Sequence, residues 1–389
     1  DLTVLLPIED IVMTLWKRIT LGIVFLAVLT AGSFSLKLYR QPLGPALELP
    51  TSTQPIPTLT TFPLEQVAQQ IGPTEVMATA TAAPQPLCGG PAVMNILAVG
   101  SDARGEHYLY GLADVIRLVR VDFVNARVTI LEVPRDLWVE IPEISDHYDI
   151  THGKLNQSYL YGNKGLGYYD GPGEGPGLLA RTLNRNFGAQ PDHYIAVNMK
   201  TFEAIVDAVD GIDVYLPYDV EVFTPEYPDG YGVEAGQHHF DGQTALWVAR
   251  IRQYGTFSRA ENQNIIMCAL RRKLLSPAIV PAVPQLIQDF QRYVQTDLSP
   301  AQINQLACLA TQMDGTNVVF ASFPMELFTV EKIYDPQLKA TTSILDADFN
   351  ILRDYVNQFH AGTWPDPNLV IRNTPSPAEM DMEFACDDQ

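Results

Sequence analysis

MNILAVGSD (94–102), VIRLVRVDF (115–123) and RVTILEVPRD (127–136) decide the fold. The first is an apolar run that stops in a turn. The second and third join near Asn125, so the three read as consecutive strands. Downstream, KLNQSYLYG (154–162) opens a helix, and GPGLLARTLNRNFG (175–188) carries apolar positions at helical spacing up to Gly188. PDHYIAVN (191–198) is a strand, MKTFEAIVDAVDG (199–211) a helix and IDVYLP (212–217) a strand. DGQTALWVARIR (241–252) starts at an N-cap, Asp241, and RAENQNIIMCALRRKLLSP (259–277) is a longer helix. Strands alternating with helices predict an α/β fold: a central mixed β-sheet covered by helices on both faces.

Outward from this core the composition changes. Residues 41–93 hold ten prolines and only three charges, all Glu, which reads as an extended stalk unable to bury a core. Before it, ITLGIVFLAVLTAGSFSL (19–36) is eighteen residues without a charge, flanked by Lys17, Arg18, Lys37 and Arg40. That length spans a bilayer. A signal peptide is the rival reading, but no A-x-A site closes the run. The expected organisation is a cytoplasmic segment (1–18), a transmembrane helix (19–36) and a stalk (37–93). A catalytic domain (94–275), a C-terminal extension packed on it (276–367) and an acidic tail (368–389) follow.

The chain carries a net charge of −20, which argues against non-specific nucleic-acid binding. Positive charge is nevertheless placed: Trp247 to Lys273 holds six Lys/Arg against the single Glu261, while residues beyond 275 hold five basic and fifteen acidic. Arg250, Arg252 and Arg259 lie in this stretch, with Gln263 four residues after Arg259 on one helix side. Guanidinium forks suit phosphate oxygens. No P-loop or G-x-G-x-x-G motif is present.

Asp102 and Arg104 follow the first strand, Asp114 opens the second, and Arg135 and Asp136 follow the third. Open α/β sheets place ligands at such strand ends. Two carboxylates there can share one magnesium ion (Mg2+), a hard cation. The bland readings are helix caps, turn residues and surface ion pairs. His238 and His239 sit in a polar loop before a helix and read mainly as loop residues. The loop YLYGNKGLGYYDGPGEGPG (159–177) is either a lid or a flexible connection. Cys88, Cys268, Cys308 and Cys386 form an even set allowing three pairings. The expected pairs are Cys268–Cys308, on two apolar helix faces, and Cys88–Cys386.

With these residues assembled, the chain resembles the LytR-CpsA-Psr family of bacterial cell-envelope proteins. The resemblance runs in order from about Met94 to Leu275, through NILAVGSDAR, ADVIRLVRVD, VTILEVPRDLWVEIP, KLNQSYLYG, HYIAVNMKTFEAIVDAVDGIDVYLP, GQHHFDGQTALWVARIR and SRAENQ. It implies a membrane enzyme, extracytoplasmic and magnesium-dependent. That enzyme moves a glycopolymer from a polyprenyl-diphosphate carrier to peptidoglycan through a phosphodiester bond. Asp102 and Asp114 match the family's metal-binding aspartates. Arg135, Arg250, Arg252, Arg259 and Gln263 match residues that contact the diphosphate, and Arg104 and Lys154 fall at other charged positions of the site. Two positions depart: Leu112 and Asn262 stand where the family has Arg. The alternatives are a polyprenyl-diphosphate phosphatase and a non-catalytic module that binds polyprenyl phosphates.

Overall fold

The structure is a computed structural model, and it describes residues 37–50, 84–104, 108–222, 231–251, 256–335, 339–366 and 383–386. The chain runs β1 (Val93–Ser101), β2 (Ala113–Asp122), β3 (Arg127–Glu132), β4 (Trp138–Glu140), β5 (His152–Lys154), α1 (Leu155–Gly162), α2 (Glu174–Phe187) and β6 (His193–Asn198). Next come α3 (Met199–Ala208), β7 (Ile212–Leu216), β8 (Val220–Val222), β9 (Tyr231–Val233), β10 (Gly236–Phe240), α4 (Gly242–Arg250) and α5 (Thr256–Leu275). The C-terminal part holds α6 (Val283–Tyr293), β11 (Gln295–Thr296), α7 (Pro300–Ala310), β12 (Val318–Ser322), β13 (Phe328–Asp335), β14 (Ala340–Ala347), α8 (Phe349–Ala361) and β15 (Glu383–Ala385).

Seven strands form the central sheet in the order β11-β6-β1-β2-β3-β12-β15. It is mixed: β1 pairs parallel with β6 and β3 with β12, while β1–β2 and β2–β3 are antiparallel. Period-two alternation sorts the side chains. Leu97, Val99, Ile116, Leu118 and Leu131 bury themselves with α1, α2 and α8 on one face. Met94, Ile96, Val121 and Phe123 pack against Leu298 and Leu309 on the other, under α7. A separate apolar cluster joins α3, α4 and α5 to β7 and β10. The helix stops follow local chemistry: Asp241 Oδ1 accepts the Thr244 amide at 2.8 Å to cap α4, and Gly188 ends α2 at φ 73°.

Several expectations are corrected. The stalk does not begin at 37 as free chain, because Leu47 is buried in the main core. The region after 275 packs on the domain from within the sheet, since β12 enters the central sheet and α8 its core. The acidic tail returns as β15 on the β12 edge. The disulfides are Cys88–Cys308 and Cys268–Cys386, another of the three pairings and not the expected one. The reason is that α5 lies over β12, where Cys268 joins Val318, Phe320 and Cys386, while α7 lies over β1 and β2 beside Leu87 and Cys88. The apolar run 19–36 lies outside the described residues, and no helix among those described is long and apolar enough to cross a membrane.

His360 on α8 makes stability acid-sensitive. Its Nε2 accepts the Gln190 amide at 3.3 Å, which leaves the proton on Nδ1 to donate to Asn95 Oδ1 at 3.3 Å. Burial lowers its pKa from 6.5 to about 4, with Arg120 adding to the depression and Asp192 opposing it. A depressed folded-state value means the contribution is complete above pH 6.5 and is lost as pH falls toward 4. The loss is on the order of 3 kcal/mol. Urea unfolding across that window should show a steeper acid decline for the parent than for His360→Gln; equal declines would contradict the assignment.

Candidate active site

The topology gathers strand ends. β1 and β6 finish side by side, Ser101 opposite Asn198, and β3 and β12 finish together, Glu132 opposite Ser322. β2 begins at this same end, with Ala113 opposite Ser101. Gly100 pairs with Val115 and Ser101 with Ala113, so Asp114 is the extra residue of a β-bulge. Bulges re-aim a side chain and cluster beside active sites.

Asp102 is fixed to the same corner. Its Oδ1 accepts the Leu112 amide at 2.6 Å, and its own amide donates to Leu112 O at 3.1 Å. The two aspartates therefore flank one strand pair. Asp114 accepts a hydrogen bond from Arg135 Nη1. Arg135 Nε lies 3.5 Å from Asp136 Oδ2, and Lys154 Nζ lies 3.1 Å from Asp136 Oδ1. The result is an alternating acid–base chain, Asp114–Arg135–Asp136–Lys154, half-buried throughout. Secondary contacts hold it. Arg135 O accepts the Asn156 amide at the start of α1, and Asp136 O accepts the Leu345 amide of β14. Gln157 accepts from the Lys154 amide and donates to Asp335 at the end of β13.

A second cluster hangs from the same strands. Arg117 on β2 stands opposite Glu132 on β3, with Nη2 3.6 Å from Oε2. That nitrogen also donates to Gln263 Oε1 at 3.2 Å, and Gln263 Nε2 donates to Ala249 O at 3.2 Å. Arg117 is 6 % exposed and Arg259 4 %. Burial pushes the Glu132 carboxyl above the usual range, and the Arg117 and Arg259 guanidiniums pull it back. The Arg117 guanidinium lies 5.4 Å above the Phe320 ring.

The expected residues are thus divided. Asp114, Arg135, Asp136 and Lys154 meet directly, with Asp102 adjoining. Gln263 bonds Arg117 and Arg259 acts on Glu132, so both belong to the buried cluster. Arg250 is exposed at the end of α4, Arg104 is exposed after β1, and Arg252 lies outside the described residues. Arg117 and Glu132 were missed by the sequence reading. His238 contacts Glu234 O and His239 contacts Asp213, both at the surface. The Gly-rich loop packs closely: a Cβ on Gly165 would collide with Leu109 and Tyr110, and that fixes the loop against the Asp102–Leu112 segment.

A family model described as "LytR_cpsA_psr family" matches residues 84–348. Among curated proteins, the chain is 27 % identical over 217 residues to Regulatory protein MsrR of Staphylococcus aureus, covering 54 % of this chain and 58 % of that protein. It is 28 % identical over 225 residues to the polyisoprenyl-teichoic acid–peptidoglycan teichoic acid transferase TagU of Oceanobacillus iheyensis, covering 57 % and 63 %. The chain therefore spans about three fifths of the length of these relatives. Among solved structures, B. subtilis TagV superposes with TM-score 0.52 at 22 % identity, over 69 % of this chain and 97 % of that one. Protein gbs0355 from Streptococcus agalactiae gives 0.52 at 19 % identity, over 68 % and 88 %. These two likenesses speak to the fold.

Proposed function

The chain belongs to the LytR_cpsA_psr family, and from that premise we propose that it is a membrane-anchored phosphotransferase. Its reaction moves a glycopolymer from a polyprenyl-diphosphate carrier to peptidoglycan through a phosphodiester bond. The observation that carries this reading is the bulged Asp114, set beside Asp102 and bonded to Arg135 where four strands end. The TagU relatives, named as teichoic acid transferases to peptidoglycan, support the substrate class. The two disulfides and the apolar run 19–36 support a single-pass protein with its large domain outside the cell membrane.

Asp102 and Asp114 offer hard oxygens from neighbouring strand ends, the donor type that magnesium takes. Magnesium is held by one or two carboxylates, with waters and phosphates completing its shell. When bound, the ion would neutralise diphosphate charge. Arg135, steered by Asp114 and Asp136, offers a fork to the phosphate oxygens, and Lys154 adds a point charge. The acceptor sugar's hydroxyl attacks the phosphorus next to the glycan. A new P–O bond forms, the P–O–P bridge breaks and polyprenyl phosphate leaves. Asp102, Asp114 and Asp136 are the carboxylates in position to take the hydroxyl proton. Catalysis is electrostatic and positional, as in other phosphoryl transfers.

The test uses the full chain in nanodiscs, a short-chain polyprenyl-diphosphate saccharide, magnesium and peptidoglycan fragments. Polyprenyl phosphate should appear only with acceptor present. Asp114→Asn should slow it by roughly 100-fold or more, the scale for losing one preorganised charge contact, with melting temperature unchanged. Polyprenyl phosphate and saccharide phosphate released without acceptor would replace transfer by hydrolysis; binding without turnover would leave the non-catalytic reading.

A further inference from the structure

The apolar run 19–36 ends at Leu36, and the described chain starts at Lys37. Eight residues, Lys37 to Gly44, reach at most about 28 Å when fully extended. Their far end is pinned. The Leu43 amide donates to Leu298 O at 3.2 Å, and a Cβ on Gly44 would stand 2.6 Å from Thr296 O. Only glycine permits that approach. The surface around β11 is therefore within one short tether of the place where the apolar run stops.

That surface has an unusual make-up for a chain of net charge −20. Beside β11 lies a cleft of about 260 Å³ lined by Tyr108, Leu109, Lys164, Glu174, Arg292 and Gln295, among others. Leu109 in its lining is 46 % exposed and the adjoining Tyr110 60 %, and on the tether Leu43 is 48 % exposed. Lys164 and Arg292 are exposed at the cleft, and Lys37 and Arg40 are exposed on the tether. Glu174, the cleft's acidic residue, is paired with Lys164 at 2.5 Å. Exposed Leu and Tyr among Lys and Arg is the composition of a lipid interface. There the apolar groups enter the acyl boundary and the cations meet phosphate.

We propose that this surface is a membrane-docking face that seats the domain on anionic phospholipid headgroups. It rests on the reading of residues 19–36 as a bilayer anchor. The consequence bears on the reaction. Leu109 and Tyr110 lie in the Asp102–Leu112 segment, which Asp102 closes through Leu112. Docking holds the sheet's carboxyl end at headgroup height, where the diphosphate of a lipid carrier lies. A domain swinging on a long stalk would have to find that plane by diffusion.

The experiment places the full chain in nanodiscs containing an anionic phospholipid with a photoactivatable headgroup, and maps adducts by mass spectrometry. Adducts are expected at Leu109–Tyr110, Lys164 and Arg292. They should fall about fivefold per removed cation in Lys164→Gln and Arg292→Gln, the worth of one basic residue at an anionic surface, and fall likewise in discs of phosphatidylcholine alone. Adducts confined to residues 1–44, or on another face of the domain, would overturn the docking surface while leaving the anchor standing. Absence of adducts anywhere, residues 19–36 included, would overturn the anchor and this proposal together.

Discussion

Glu132→Ala should cost about 3–5 kcal/mol of folding stability, the range for breaking a buried ion pair from one side. The carboxylate faces Arg117 across the β2–β3 pair and acts on Arg259 as well. Both guanidiniums are almost wholly removed from water. Without Glu132 they keep their charge, since an arginine does not neutralise itself, and they repel one another at low dielectric. Replacing both members of the facing pair should behave differently. Arg117→Met with Glu132→Leu removes the facing pair but leaves Arg259 buried without that carboxylate, so its cost should fall below that of Glu132→Ala without vanishing. Yet Arg117 also orients Gln263, whose amide grips Ala249 O beside Arg250. The double variant should therefore melt between Glu132→Ala and the parent, and bind diphosphate more weakly than the parent. Chemical denaturation of the two variants checks the claim. A cost below about 1 kcal/mol for Glu132→Ala would make the cluster an ordinary surface-like pair.

Much of this site was readable because its residues sit where strands stop. Asp102, Asp114, Arg135 and Asp136 each adjoin the end of an apolar run, and the sheet brings those ends together. The bulge that singles out Asp114 was not readable, since it depends on the register between β1 and β2. Arg117 and Glu132 lay in plain view inside VIRLVRVDF and RVTILEVPRD. An isolated charge within a strand reads as its solvent face when the covering helix is unknown. A signal did exist: a tight turn near Asn125 that pairs Asp122 with Arg127 carries the ladder down to Arg117 opposite Glu132. Arg259 shows a different limit. The charge count around it was correct, but charge excess does not say whether a guanidinium faces ligand or a buried carboxylate. Here it acts on Glu132. The fold itself was more legible than its limits. Strand and helix alternation located the sheet, whereas β12 and β15 joined it from regions assigned to an extension and a tail.

Loss of the disulfides should have a comparably large effect. Cys268–Cys386 closes a separation of 118 residues and Cys88–Cys308 one of 220. Cross-links over such spans restrict the unfolded chain most, and removal of a native disulfide costs about 2–5 kcal/mol. The even cysteine count predicted two bridges, but not which helix face meets which partner. The pairing decides what each one holds. Cys386 follows β15, a strand of only three residues, and the buried bridge to α5 keeps that strand on the β12 edge. Removing it as Cys268→Ala with Cys386→Ala should expose the β12 edge and lower the melting temperature. It should also raise amide exchange at Phe320, whose amide faces β15 in the ladder. Cys88→Ala with Cys308→Ala should instead loosen the Leu87–Gly89 turn from α7 and leave β12 protected. Peptide mapping under non-reducing conditions must first return Cys88–Cys308 and Cys268–Cys386. Exchange at β12 that stays slow in the first double variant would show that strand pairing alone holds β15, and the bridge would then add only to the entropy of the unfolded chain.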